Sequence, residues 1–261
     1  MDELRHLFSQ FVRNTTGTAV LNADCPVSSS LAGAAKRVLT FGIHRDADVR
    51  AENCRPGAMV SSFEVDGVPF AIRQPGMHSI SNALAAIAVG RALGLETGAA
   101  KRGIEDFAGI ARRYDTVGEA AGVTVIDDFG HNPDKIRGTL SALHIESGRR
   151  LRVFQPHGFA PTKFMKDDLI DVFVSDMNDE DVLLMPEIYY AGGTAERSIS
   201  SRDITDAVNA GGKKAHYFET RAEIPEALAR MARPGDIVAV MGARDDTLTD
   251  FCREIIDRIR A

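Results

Sequence analysis

The residue types best suited to acid–base or metal chemistry stand directly after an apolar run that ends near residue 127. Asp127 and Asp128 close that run, and His131 comes three residues later. Two carboxylates and an imidazole at this spacing could bind a metal ion, or one of them could act as a general base. The same stretch could instead begin a helix, with Asn132 or Asp134 as its N-terminal cap. The spacing leaves both interpretations open.

Three other positions carry side chains that suit ligand binding. The adjacent guanidinium groups of Arg112 and Arg113 could hold a phosphate, or could form a solvated helix end. His157 follows another apolar run and could be a ligand or a histidine with an ordinary hydrogen-bond partner. His78 and Asn82 are four residues apart, so a helix would place both on one face. Asn82 could pair with the donor and acceptor edge of adenine, but the two residues could also simply begin the helix.

These side chains need a sheet whose strand ends converge, and the sequence after residue 122 predicts one. Five short apolar runs alternate with longer amphipathic stretches, as in βαβ units. The runs are Val123–Phe129, Leu151–Gln155, Val182–Met185, Ala215–Phe218 and Ile237–Met241. Near-continuous apolar runs are typical of strands buried on both faces, and ligands bind at the carboxyl ends of such sheets. We therefore predict an α/β fold in which residues 112–261 form a doubly wound, mainly parallel sheet.

Residues 1–111 predict a second and less complete α/β unit. Strand-like runs on both sides of Asp66-Gly67 predict an antiparallel hairpin, because this dipeptide favours a type I′ turn. The alanine-rich run His78–Leu93 predicts a long helix that ends at Gly94. A further helix is predicted over Ser28–Arg37.

The composition excludes several classes of protein. The 261 residues carry 31 Lys and Arg against 37 Asp and Glu, a net charge of −6 that argues against nucleic-acid binding. No apolar run reaches the length of a membrane helix and the N-terminus has no signal-peptide pattern, so we expect no membrane association. Three widely spaced cysteines suit a reducing compartment, and we predict a cytoplasmic protein. The sequence contains neither G-x-x-x-x-G-K-[ST] nor G-x-G-x-x-G, so it has no self-contained phosphate cradle.

Several motifs together resemble the Mur ligase family, the ATP-dependent amino-acid ligases of peptidoglycan precursor synthesis. They occur in the order of the family along nearly the whole chain. The motifs are Leu21–Asp24, Pro75–Ala86, Arg112-Arg113-Tyr114, Val125–Pro133, Phe154–His157 and Met241–Ala243. The resemblance implies that residues 1–111 are the latter part of the central ATP-binding domain. It implies that residues 112–261 are the C-terminal domain, which has a dinucleotide-binding-like fold and brings the amino acid.

The resemblance also implies a reaction and its cofactors, ATP and Mg²⁺, with most of the Mg²⁺ ligands outside this chain. ATP phosphorylates the carboxylate of UDP-N-acetylmuramate, an amino acid attacks the acyl phosphate, and an amide, ADP and phosphate result. The partners are then a nucleotide and small-molecule substrates. By this resemblance His78 and Asn82 would bind the adenine, and Asp128 would bind the ribose.

The same resemblance implies catalytic roles for Arg113, His131 and His157. Arg113 would reach the nucleotide phosphates, while Phe129, His131 and His157 would border the amino-acid site.

The sequence departs from the family pattern at the amino-acid site. The two arginines that would bind the carboxylate of the amino acid are replaced by Gly158 and Pro161, so the sequence does not specify the amino acid. The UDP-sugar domain and the P-loop have no counterpart, so we expect the chain alone to be inactive. The alternative is a non-catalytic nucleotide-binding or interaction module with a degenerate Mur ligase fold. An exposed sheet edge within residues 1–111 could also support a homodimer.

Overall fold

The computed structural model describes residues 2–57, 59–145, 147–190, 192, 194 and 196–261. The chain divides into two compact units, Met1–Ala108 and Gly109–Ala261. Each unit contains helices packed on β-sheet, and the larger sheet is mostly parallel, which confirms the predicted α/β fold class.

The described residues of unit 1 form two three-stranded sheets and four α-helices. The elements are α1 (Asp2–Asn14), β1 (Ala19–Asn22), α2 (Pro26–Ser30), β2 (Val38–Gly42), β3 (Val49–Arg50), β4 (Glu52–Arg55), β5 (Ser61–Val65), β6 (Val68–Ile72), α3 (Gly76–Ala92) and α4 (Thr97–Glu105). β1, β2 and β3 form a parallel sheet in that order, and β4, β5 and β6 form an antiparallel sheet.

The predicted hairpin of unit 1 is confirmed as β5 and β6. Asp66 and Gly67 have φ angles of 52° and 73°, the positive pair that a type I′ turn requires. Phe63 and Phe70 stand opposite each other across the hairpin with their rings stacked 5.1 Å apart. The hairpin thus presents an apolar face on which a helix can pack.

Helix α3 provides the other half of this core. Ile80, Leu84 and Ile87 lie on one face at helical spacing and are fully buried, which stabilises the unit by about 1.5–3 kcal/mol for each side chain. The helix ends as predicted, because Gly94 has a φ of 87° and the Leu95 amide donates to the Gly90 carbonyl. This turn fixes where α3 ends and where the connection to α4 begins.

The helix predicted over 28–37 is wrong. The structure has the five-residue helix α2 and a 3₁₀ turn at Ala32–Ala34 instead. Ser28 accepts a hydrogen bond from the Asn22 amide, and Ser29 donates to the Ala23 carbonyl. These serines bond to the backbone before the helix, and such competition shortens helices.

Unit 2 is built on one six-stranded sheet with helices on both faces. Its elements are β7 (Asp115–Ala120), β8 (Val123–Asp128), α5 (Pro133–Leu143), β9 (Arg150–Gln155), α6 (Phe159–Asp176), β10 (Val182–Pro186), α7 (Ser201–Ala210), β11 (Lys214–Phe218), α8 (Ile224–Met231), β12 (Ile237–Gly242) and α9 (Leu248–Arg260). The strand order is β11-β10-β9-β12-β8-β7, and among these described strands β7 alone runs antiparallel to its neighbour.

The five predicted runs of unit 2 all form strands, and their burial explains why. Helices α5, α6 and α7 cover one face of the sheet, while α8 and α9 cover the other. Every residue of β9, β10 and β12 is buried as a result. The carboxyl ends of the five parallel strands therefore lie along one edge, which we call the rim.

Within the described part of the chain, no helix combines the length and the apolar character that crossing a membrane requires.

Candidate functional site

The first feature of the rim is the buried carboxylate of Asp127 near the end of β8. It forms an ion pair with Arg112, whose Nε lies 3.3 Å from Oδ2, and it accepts a hydrogen bond from Thr249 Oγ1 at 2.6 Å. Burial raises the pKa of Asp127, and the Thr249 and Arg112 contacts only partly oppose that rise. Asp127 thus connects β8 to α9 and to the loop before β7.

Asp128 is also buried, and it accepts three hydrogen bonds from three different segments. Its Oδ1 accepts from the Gly130 amide and from Thr139 Oγ1, both at 2.7 Å. Its Oδ2 accepts from the Tyr114 amide at 2.8 Å. The carboxylate thereby joins the loop before β7, the end of β8 and helix α5.

The question of the helix cap after β8 is settled by geometry. Asn132 Oδ1 accepts a hydrogen bond from the Lys135 amide at 3.0 Å, so Asn132 is the N-cap of α5. Asp134 instead lies in the first turn of that helix.

Phe129 forms the centre of a cationic and aromatic stack on the rim. The guanidinium carbons of Arg112 and Arg113 lie 5.0 and 5.3 Å from the centre of its ring. The imidazole of His131 meets the same ring edge-on at 5.4 Å. Since a carbonyl can only accept, the 2.9 Å contact between His131 Nδ1 and the Phe129 carbonyl places the hydrogen on Nδ1. The structure thus brings four predicted residues together.

The two arginines of this stack differ in what holds them. Arg112 donates to the carbonyls of Gly242 and Asp245 besides pairing with Asp127, so its side chain is fixed. Arg113 is exposed and stands between Arg112 and Tyr114, which have φ angles of 60° and 51°. Two such residues in the left-handed region are uncommon, and they turn the backbone sharply at the point where Arg113 projects.

His157 follows β9 and is half-buried beside Tyr189, with the ring centres 5.9 Å apart. Burial lowers the pKa of His157, and the positive charge of Arg244 lowers it further. The imidazole is therefore neutral near pH 7. The backbone around it is fixed, because the Gly158 amide donates to the Tyr189 carbonyl and the Tyr189 amide donates to the Pro156 carbonyl.

A second group of rim residues surrounds a cavity of about 420 Å³. The carboxylate of Asp245 lines this cavity. It accepts hydrogen bonds from Gln155 at 2.8 Å, from Arg221 at 2.6 Å and from Thr247 Oγ1 at 2.6 Å. Burial alone would raise the pKa of Asp245, but these hydrogen bonds outweigh it and the pKa is lowered. Glu187 lines the same cavity.

Glu187 connects the end of β10 to the start of α7. It accepts from Ser200 Oγ at 2.6 Å, from the Ser201 amide at 3.1 Å and from Tyr217 Oη at 3.0 Å. Burial would raise the pKa of Glu187, but the hydrogen bonds from Ser200 and its neighbours lower it. The carboxylate therefore stays ionised and fixes one wall of the cavity.

Sequence reasoning missed Arg221 and the part played by Glu187. Arg221 follows Thr220, whose side chain forms a capping box with Glu223. The Thr-x-x-Glu pattern could have located this turn, but nothing in it indicates that Arg221 reaches Asp245.

Unit 1 has a separate cavity of about 340 Å³ against the exposed face of α3. Asn82 lines it, together with Gln74 and Ser79. Its other walls are apolar and come from Ile72, Ala83, Ala86, Gly103, Ile104 and Phe107. The Gln74 amide nitrogen donates to the Phe107 carbonyl at 3.0 Å, which positions that side chain. The exposed residue His78 is not among the lining residues.

The carboxylates present do not fit a Mg²⁺ site. Across the residues described, no group of three or more His, Cys, Asp and Glu side chains is arranged to hold a metal ion. Asp127 and Asp128 are adjacent, but their oxygens already bond to Arg112, Thr249, Thr139 and backbone amides.

Comparison with known proteins matches both units to a single family. Residues 1–90 match the Mur ligase middle domain, and residues 112–244 match the Mur ligase glutamate ligase domain. The chain is 36% identical to the UDP-N-acetylmuramate–L-alanine ligase of Agrobacterium fabrum over 94% of this chain and 55% of that protein. The enzyme of the same name from Anaeromyxobacter dehalogenans is also 36% identical, with the same two coverages.

A solved structure shows the same fold. The crystal structure of UDP-N-acetylmuramate–alanine ligase from Thermotoga maritima aligns with a TM-score of 0.75 at 23% identity. The alignment covers 98% of this chain and 54% of that one. The chain thus spans about half the length of the proteins it matches.

Proposed function

Since the chain belongs to the Mur ligase family, we propose that it serves the ATP-dependent joining of an amino acid to a UDP-N-acetylmuramate carboxylate. In this reaction the carboxylate is activated as an acyl phosphate and then attacked by the amino group. The relatives are named as L-alanine ligases, which supports an amino acid as the attacking amine. The product would be a precursor of peptidoglycan.

The observation that carries this proposal is the cavity of unit 1. Adenine needs apolar walls against its ring faces and a paired donor and acceptor at its edge. The side chains of Ile72, Ile104 and Phe107 provide apolar walls, and the amide of Asn82 provides both polar groups. Asn82 is therefore the proposed adenine ligand. His78 stands on the same helix, and its contact with the adenine stays a prediction.

The stack on Phe129 supports a role at the nucleotide phosphates. The guanidinium of Arg113 is exposed and lies over the Phe129 ring, whereas the guanidinium of Arg112 donates hydrogen bonds to backbone carbonyls that fix its loop. An exposed guanidinium on a fixed backbone can bind a phosphate with paired hydrogen bonds. The three hydrogen bonds of Asp128 support a positioning role for that residue in the same loop. Its contact with a ribose stays a prediction.

The histidines suit the second half of the reaction. An incoming ammonium must lose a proton before its nitrogen can attack an acyl phosphate. The neutral imidazole of His157 can accept that proton, and its lowered pKa keeps it in the accepting form near pH 7. His131, with its hydrogen on Nδ1, presents Nε2 as a second acceptor on the rim.

The alternative of a non-catalytic nucleotide-binding module is favoured by one observation, the absence of a phosphate-binding G-x-x-x-x-G-K-[ST] motif from this sequence. Both functions predict nucleotide binding, and we expect no turnover of ATP by the 261-residue chain alone. Formation of an amide from UDP-N-acetylmuramate and any amino acid by this chain would contradict that expectation.

Calorimetric titration of ADP into the full chain tests the proposed nucleotide site. We expect saturable binding that Asn82→Ala weakens at least about tenfold, since a bidentate base contact contributes about 1–3 kcal/mol. Asn178→Ala, an exposed asparagine in unit 2, is the matched control and should bind as the unaltered chain does. Equal binding by all three proteins would remove Asn82 from the site.

A homodimer through unit 1 also stays a prediction. Among the described residues, β1 pairs only with β2, which leaves its other edge open. Leu7, Phe8 and Phe11 of α1 are about half or more exposed. Sedimentation that shows only a monomer at high concentration would exclude this association.

A further inference from the structure

An arginine that the sequence did not single out lies on two aromatic rings at the rim of unit 2. The guanidinium carbon of Arg197 is 5.0 Å from the centre of the Tyr190 ring and 5.6 Å from that of Phe159. The two rings contact each other with their centres 5.4 Å apart. A guanidinium that lies over aromatic rings can still donate its N–H groups to a planar anion.

The backbone brings these three residues together from three separate segments. Phe159 begins α6, directly after the residues that pair with Tyr189 beyond the end of β10. Lys163, one turn further along α6, donates to Ser198 Oγ at 2.9 Å and so ties the segment of Arg197 to the helix. Phe159 and Ile199, which flank this contact in the sequence, are both buried in one small apolar cluster. The position of Arg197 is thus set by packing as well as by cation–π contact.

Among the described residues, no carboxylate neutralises the positive charge of Arg197 and Lys163. Neither Arg197 nor Lys163 forms an ion pair with a carboxylate in the described part of the chain, and Arg197 has no hydrogen bond there. Ten other described arginines do form ion pairs, and Arg112, Arg152 and Arg221 among them are at least partly buried. Two unpaired cations beside a cavity create a local positive potential that attracts an anion.

We propose that Arg197 and Lys163 bind the carboxylate of the amino acid that this chain brings to the ligation. Arg197 would bind both carboxylate oxygens along its N–H edge, and Lys163 would add a second positive charge. The inference rests on the proposed function and deepens it, because it assigns the residues that select a carboxylate-bearing amine. Both are specificity-determining residues and touch the substrate rather than the reacting atoms.

The surroundings of Arg197 suit the rest of an amino acid. The Tyr190 ring, on which Arg197 lies, also lines the cavity of about 420 Å³. The side chain of an amino acid whose carboxylate is bound to Arg197 could therefore enter this cavity. His157 lies two residues before Phe159 and packs on Tyr189. The neutral imidazole proposed to accept the proton of the amine therefore borders the same site.

NMR titration of the ¹⁵N-labelled full chain tests the inference. The probes are L-alanine and L-alaninamide, which differ only in the carboxylate, at constant ionic strength. We expect L-alanine to shift the amide signals of residues 160, 162, 163 and 196–199 saturably, and L-alaninamide to leave them unchanged. Arg197→Gln should weaken the binding of L-alanine at least about tenfold, because it removes a charge-assisted pair of hydrogen bonds. Lys163→Gln should weaken it by a smaller factor.

The control variant is Arg230→Gln, which removes an exposed arginine of α8 that pairs with Glu226. It should bind L-alanine as the unaltered chain does. Equal shifts with L-alaninamide, equal binding by Arg197→Gln, or equal displacement by chloride at the same concentration would each overturn the proposal.

The same samples separate this inference from the function it rests on. ADP is titrated into each sample, and the shifts of the protein amide signals are measured for the residues that line the cavity of unit 1. Loss of ADP binding with retained carboxylate binding would refute the proposed function alone. Retained ADP binding without a response to L-alanine would refute the carboxylate site alone.

Discussion

Replacement of Asp128 by asparagine separates two roles for this residue. The resemblance to the Mur ligase family implies a ribose ligand, whereas the structure shows a buried carboxylate that holds three segments together. An asparagine oxygen can still accept from Gly130 and Thr139 at the Oδ1 position. Its NH₂ group then faces the Tyr114 amide, so two donors meet where a hydrogen bond of 2.8 Å existed. A lost bond to a charged acceptor and a buried amide without a partner together cost about 3 kcal/mol.

The assay is urea unfolding of unit 2, monitored through the amide NMR signals of β8 and β9. We expect Asp128→Asn to lower the free energy of unfolding by about 3 kcal/mol, a large part of the stability of a domain. Thr139→Val, which keeps the shape and removes one hydroxyl bond, should cost about 1 kcal/mol. A loss below about 0.5 kcal/mol for Asp128→Asn, combined with loss of ADP binding, would refute the brace and favour the direct ribose contact.

Three further variants test the electrostatics of unit 2. The fully buried Arg152 pairs with Asp176 at 2.6 Å and with Asp181 at 3.2 Å, so Asp181→Asn should lower the free energy of unfolding by about 3 kcal/mol; an unchanged urea midpoint would contradict this. Arg244→Gln should raise the pKa of His157 towards its ordinary value of 6.5, measured from the Cε1 proton by NMR, and an unmoved titration would show that Arg244 does not act on it. Because the folded-state pKa of His157 lies below that of the unfolded chain, the unfolded state binds more protons and stability should fall as the pH drops through about 6.5; His157→Gln should remove this part of the pH dependence.

The strands of unit 2 were predictable because both of their faces are buried. Burial on both sides demands apolar residues throughout, and that demand is visible as continuous runs such as Ile237–Met241 within β12. The hairpin turn at Asp66-Gly67 was predictable for a different reason, since few dipeptides tolerate two positive φ angles. The helix predicted over 28–37 failed because Ser28 and Ser29 bond to a segment that precedes them, which local spacing does not reveal.

The candidate site was predictable only in its location. Sequence placed Asp128 at the end of a strand, but its partners Tyr114 and Thr139 are 14 and 11 residues away and become neighbours only in the fold. The same holds for Arg221 and Asp245, which are 24 residues apart. Arg197 gave no signal at all, because a single arginine in a loop carries no spacing pattern.

Intermolecular NOEs measure directly whether adenine binds in the cavity of unit 1. The full chain is labelled at isoleucine methyl groups, and ADP is added to saturation. We expect NOEs from the adenine H2 and H8 protons to the methyl groups of Ile72 and Ile104, which line that cavity. Saturable ADP binding with adenine NOEs only to isoleucines of unit 2, such as Ile188, would contradict it.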